Sequence, residues 1–189
     1  MDNVNLAIVR QNFAQSVFTH QVQEAAANRK LKRASGYKKL NIAFVGIILV
    51  MLVLQSFFPS NLIFTYISAA LTVCEIVFLI VQLTFNVEQE AVGHKNAALK
   101  YMSLRGRYQS LMADIISGNV KAEVILSRRN SLQDEYQTVS DLAPQTSGDD
   151  YDTAQSRLGL TGDDEQYTWS DQEIDRFLPR DLISKSNKR

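Results

Sequence analysis

At 189 residues the chain has room for one compact domain beside a membrane-embedded part, and its twenty basic and twenty acidic side chains leave no net charge. The single cysteine, Cys74, excludes an intramolecular disulfide, and with only His20 and His94 beside it there is no His/Cys set for a zinc or redox centre. No GxxxxGK(S/T), GxGxxG or GxSxG pattern is present and the carboxylates follow no catalytic spacing, so the chain is not read as an enzyme and no catalytic residue, metal or cofactor is assigned.

Residues 1–27 place Leu6, Val9, Phe13 and Val17 at helical spacing, with Asn12, Gln15, Gln21, Gln23 and Glu24 on other faces. This is an N-terminal cytoplasmic amphipathic helix. It is expected to dock on the cytoplasmic domain of its own or a neighbouring chain, in preference to lying on the inner leaflet. Residues 28–39 carry Arg29, Lys30, Lys32, Arg33, Lys38 and Lys39 with no acid. Such a basic juxtamembrane segment stays on the cytoplasmic side, and two spans return the chain to that side, so both termini are expected to be cytoplasmic.

Residues 40–86 hold one charged side chain, Glu75. Residues 40–58 form a helix of roughly 28 Å, close to the ~30 Å hydrocarbon core of a bilayer. Pro59, Ser60 and Asn61 join a helix breaker to two turn residues, and residues 62–86 form a second, slightly longer span. A buried soluble hairpin is disfavoured because a chain of this size has little protein to cover two helices that are apolar all round. A signal peptide is disfavoured further by the late start, the missing cleavage site and the second span.

The second span has no stop signal. Tyr101, Leu104, Tyr108, Leu111 and Ile115 continue in a heptad seam, so the span is expected to run on as a stalk that packs on other helices, with Gly93 marking a bend at the membrane surface. Ser117, Gly118 and Asn119 end that helix. Another helix follows to about Asp141 with Ile125, Leu132, Tyr136 and Val139 as its apolar face, Arg128 and Arg129 interrupting it, and QTSGDD as loop. Residues 87–155 therefore form a cytoplasmic helical domain. Residues 156–189 form a tail with the acids Asp163, Asp164 and Glu165. In it Ser170 and Glu173 cap a short helix bearing Ile174, Phe177 and Leu178, Pro179 stops that helix, and the end frays. The fold class is an all-α membrane protein: a two-span transmembrane helical hairpin whose second span continues into a cytoplasmic helical stalk or bundle.

Within the second span, Thr65, Ser68, Thr72, Glu75, Leu79, Gln82 and Asn86 repeat every three and four residues. Six of the seven are polar in a helix that is otherwise almost entirely apolar, and a polar stripe is too costly to face lipid. It is read as a pore lining; the competing reading is a polar helix interface with hydroxyls bonded to their own helix carbonyls. One hairpin cannot enclose a channel, so several chains are expected in a closed ring, with four the expected number and five the next. The Glu75 ring would favour cations and Leu79 would close the path by dewetting.

The basic lead-in, the hairpin, HKNAALKYMSLRGRY (residues 94–108), SRRNSLQDEYQTVSDLAP (residues 127–144) and the trailing Tyr151 and Ala154 resemble the SLATT domain, over roughly residues 28–155. That resemblance implies a two-transmembrane effector of the bacterial inner membrane, encoded beside a nucleotidyltransferase in an anti-phage system. It further implies a pore controlled by a nucleotide or oligonucleotide signal from that partner enzyme, causing membrane disruption or growth arrest. Arg105, Arg107, Arg128 and Arg129 are the candidates to receive the phosphates, since guanidinium forks suit them. The alternative is a non-conducting membrane anchor and docking module for a cytoplasmic partner.

Overall fold

The computed structural model describes residues 3–160 and 168–186; Asp163, Asp164 and Glu165, and the last residues 187–189, lie outside the described residues. The regular structure of the described residues is helical throughout: α1 (Asn3–Phe57), α2 (Ile63–Thr84), α3 (Val87–Ser117), α4 (Ala122–Leu142), α5 (Gly148–Leu158), α6 (Asp171–Asp175) and α7 (Arg180–Ser186). The amphipathic helix, the basic segment and the first span of the sequence reading are one helix, α1, because nothing between residues 3 and 57 breaks it: the stretch has no proline. The chain divides into two compact units, Asn28–Ala91 and Met1–Ala27 with Val92–Arg189.

The first unit is the hairpin. Its turn is built from Pro59, Ser60 and Asn61, where the Asn61 backbone N–H donates to the Phe58 carbonyl at 3.0 Å and the Asn61 side-chain oxygen accepts from the Ile63 N–H at 3.2 Å. The two helices run antiparallel, in a register fixed by the ring pairs Phe58–Phe64 (6.2 Å) and Phe44–Phe78 (6.3 Å). The α1 seam turned towards α2 is Asn41, Phe44, Ile48, Met51, Leu54 and Gln55, each partly buried. The outer faces, with Ile42, Leu49 and Val53 on α1 and Val73, Ile76 and Ile80 on α2, are exposed and apolar, as a lipid-facing surface must be. At the basic end Lys38 pairs with Glu88 and Lys30 with Glu90.

The second span does not run on unbroken. Helix α2 ends at Thr84, Phe85 leaves helical geometry at φ −104°, ψ 63°, and Asn86 starts a new helix by accepting from the Gln89 N–H at 3.1 Å. The Asn86 side-chain N–H also donates to the Gln89 side-chain oxygen at 3.3 Å, which holds the capping asparagine in place.

In the second unit, Leu6, Val9, Phe13 and Val17 of α1 are buried in one core with Tyr101, Leu104, Tyr108, Leu111 and Ile115 of α3. The N-terminal helix thus docks within its own chain, and the heptad seam of α3 packs there. Ile125, Leu132 and Val139 of α4 close the core from another side. At about 1.5–3 kcal/mol for each large apolar side chain removed from water, this core is the main source of the unit's stability. Gly118 ends α3 in left-handed geometry, φ 70°. Gly93 is no bend: it lies inside α3, where a Cβ would come within 3.2 Å of Pro144 Cγ, so its missing side chain permits close packing.

QTSGDD contains a helix start. The Asp150 carboxylate accepts from the Ser147 backbone N–H at 2.9 Å and from its hydroxyl at 2.8 Å, opening α5, which ends at left-handed Gly159, φ 64°. Helix α6 ends at Asp175, short of Phe177 and Leu178, so Pro179 is not what stops it; Pro179 leads into α7, since the Pro179 carbonyl accepts from the Leu182 N–H at 3.0 Å, and the chain stays helical to Ser186 where fraying was expected.

Candidate functional site

The polar stripe of the second span divides into two halves. Ser68 and Glu75, 5 % and 6 % exposed, face α1 together with the half-buried Gln82, whereas Thr65, Thr72 and Leu79 point away from the hairpin. Asn86 lies past the end of α2, exposed, in its capping role. The hydroxyls are satisfied locally: Ser68 donates to the Thr65 carbonyl at 3.0 Å and Thr72 to the Ser68 carbonyl at 2.8 Å.

The longer polar side chains have no such recourse. Both Glu75 carboxyl oxygens, Gln82 Nε2, Asn41 Oδ1 and Gln55 Oε1 are buried without a hydrogen-bond partner among the described residues. The register set by the phenylalanines brings Asn41 opposite Gln82 and Gln55 opposite Ser68, with Glu75 between these levels against Ile48. The facing seams of the hairpin therefore carry polar groups at three levels. Asn41 and Gln55, near the two ends of the first span, are members that the polar stripe of the second span does not point to.

Of the four candidate arginines, two come together. Arg107 on α3 and Arg128 on α4 line one groove of about 400 Å³ with Ser110, Asp114, Ser127 and Ser131. Each is already paired, Arg107 with Glu135 and Arg128 with Asp114, at the exposed surface where such pairs contribute about 0–1 kcal/mol and exchange readily. Arg129 instead bonds Asn5 and Asn130, and Arg105 acts through its charge on His20 of α1; neither lines the groove.

Three charged or polar side chains to which the sequence assigns no role are built into this unit. Arg10, 5 % exposed, holds α6 through Asp171 at 3.0 Å and Asp175 at 2.7 Å. Buried His94 meets Gln23 through Nδ1 at 2.7 Å, and Gln23 in turn donates to the Pro144 carbonyl at 3.2 Å. No metal-ligand cluster is found among the described residues.

A family model described as the SMODS and SLOG-associating 2TM effector domain family 4 matches residues 6–173. The match extends beyond residues 28–155 at both ends. It takes in the N-terminal helix and the segment up to Glu173 in α6, whose Phe13 and Trp169 share the core with α3. No curated protein and no solved structure matches the chain.

Proposed function

The chain belongs to the SMODS and SLOG-associating 2TM effector domain family, and from that premise we propose that it is a conducting membrane effector of a bacterial anti-phage system, controlled by a nucleotide or oligonucleotide signal. One observation carries the reading. The hairpin buries a carboxyl and three amide side chains with unpartnered polar atoms between two apolar helices, an arrangement whose cost argues for use in transport. The route follows the inward half of the stripe, Ser68, Glu75 and Gln82, with Asn41 and Gln55 of α1. The outward half, Thr65, Thr72 and Leu79, packs against further copies, four in the ring we propose, in the inner membrane with both termini cytoplasmic. The signal, made by a partner nucleotidyltransferase, sits in the Arg107–Arg128 groove. Helix α3, which carries Arg107, follows α2 after Phe85 and Asn86, so a change in α3 reaches the span through a short connection. The ligand shifts conduction only by its difference in affinity for the two states.

A second reading, a non-conducting anchor with a docking unit, is favoured by the locally satisfied hydroxyls of Ser68 and Thr72. Planar-bilayer recording of the purified full chain separates the two. The conducting reading expects discrete currents that change on adding nucleotide, and a membrane that stays silent in both conditions leaves the anchor.

A further inference from the structure

We propose that the ion carried is the proton, and that its path lies between the two helices of a single hairpin. The inference rests on the conducting reading above and names its cargo.

Unpartnered polar atoms occur along the facing seams from one end to the other: Gln82 Nε2 and Asn41 Oδ1 towards the basic end, both Glu75 oxygens in the middle, Gln55 Oε1 towards the turn. Seven residues separate Gln82 from Glu75 and seven separate Glu75 from Ser68, about 10 Å each at 1.5 Å per residue. Hydrogen-bonded waters at ordinary O···O spacing would cross gaps of that size in a file of about three or four, which the proposal requires to pass beside the Phe44–Phe78 rings. At the basic end the path opens into a cavity of about 60 Å³ lined by Gln82, Tyr37, Lys38, Asn86 and Glu88, enough for about two waters. The Lys38–Glu88 pair lies at its mouth. At the other end Gln55 Nε2 donates to the Pro59 carbonyl at 3.4 Å, beside the turn.

The seam is too closely packed for a hydrated metal cation. Phe44 and Phe78 meet across it at 6.3 Å and Phe58 and Phe64 at 6.2 Å. A proton needs only a chain of donors and acceptors and one group that changes its protonation. Glu75 is the only charged side chain in residues 40–86. The α1 seam that faces it, Phe44, Ile48 and Met51, has no titratable group, and the other titratable groups of α2, Tyr66 and Cys74, are exposed on its outer faces. The step balances within that carboxyl. The Glu75 carboxylate takes a proton from a hydronium on one side, leaving water. Its O–H then gives the proton to a water on the other side, restoring the carboxylate. Neither oxidant nor metal enters.

The test uses the full chain in liposomes that enclose a pH dye, with potassium and valinomycin setting the potential and rubidium uptake measured in parallel. The expected result is proton entry without rubidium uptake, reduced by Glu75→Gln to the level of protein-free vesicles. Glu75→Asp should keep part of it, and Cys74→Ala, altered on the exposed face, should keep all of it. Gln82→Leu, remote from the carboxyl, should also lower the flux, so the proposal stays open to test if Glu75→Gln fails to assemble. Rubidium uptake, or proton entry indifferent to Glu75→Gln, overturns the proton path while leaving a conducting effector. Vesicles that pass neither ion overturn both readings.

Discussion

Tyr101 and Tyr108 lie one heptad apart on α3 and are equally buried, but only one hydroxyl is used. The Tyr101 hydroxyl meets Ser140 Oγ at 2.9 Å, whereas the Tyr108 hydroxyl has no partner among the described residues, and burial pushes its pKa up to about 12. Removing a buried, unpaired hydroxyl costs nothing and removing a paired one strands its partner. Tyr108→Phe should therefore leave thermal stability unchanged or slightly raised, and Tyr101→Phe should lower it by about 1 kcal/mol in denaturation of the detergent-solubilised chain. His20 offers a pH handle on the same unit. Its burial, countered by Glu24 and reinforced by Arg105 and Lys95, lowers its pKa below the ordinary 6.5. The unfolded chain then binds a proton more readily than the folded one, so this site's contribution to stability is complete above pH 6.5 and is lost as the pH falls from there through the lowered folded value. His20→Gln should remove that part of the acid sensitivity, seen as a smaller drop in melting temperature between pH 7.5 and pH 5 (roughly the window of histidine titration).

Among elements, the α3–α4 groove makes the sharpest statement, because its two arginines are held by acids that compete with a phosphate. Arg107→Ala and Arg128→Ala should each weaken binding of a nucleotide probe by about 1 kcal/mol, roughly fivefold, and Asp114→Asn should strengthen it. Arg129→Ala should leave binding unchanged, since Arg129 is turned to Asn5. Titration calorimetry with ATP at two salt concentrations checks all four. The helices themselves were largely legible: the hairpin from its two apolar runs and turn, the α1–α3 core from Val9, Phe13, Tyr101 and Leu104, the α6 start from Ser170 and Glu173. What was missed had physical causes. The α2–α3 break has neither proline nor glycine, so periodicity ran across it, although Asn86 with Gln89 carried a capping signal. Ser147 with Asp150 carried the same signal for α5 and was hidden inside a glycine- and acid-rich loop composition. Arg10 reads as an interruption of an apolar face until the partners that satisfy it, more than 160 positions away, are brought to it. The grouping of Arg107 with Arg128, and the exclusion of Arg105 and Arg129, depends on helix rotation that sequence spacing does not specify.

At the scale of the whole molecule, the chain joins a helical unit with a completed core to a hairpin whose facing seams are unusually polar for a membrane. The sequence showed the stripe but not which neighbour it meets, because a three-and-four repeat suits a pore axis and a helix pair equally. The structure divides it, with Ser68, Glu75 and Gln82 turned to α1 and Thr65 and Thr72 turned outward. The account rests on the inward half being the route. The most direct test is the bilayer current of the full chain after each half is replaced in turn, with assembly verified for both. The account predicts that Ser68→Ala with Gln82→Leu abolishes the current while Thr65→Val with Thr72→Val preserves it. Loss of current in the outward variant with full current in the inward one would contradict it.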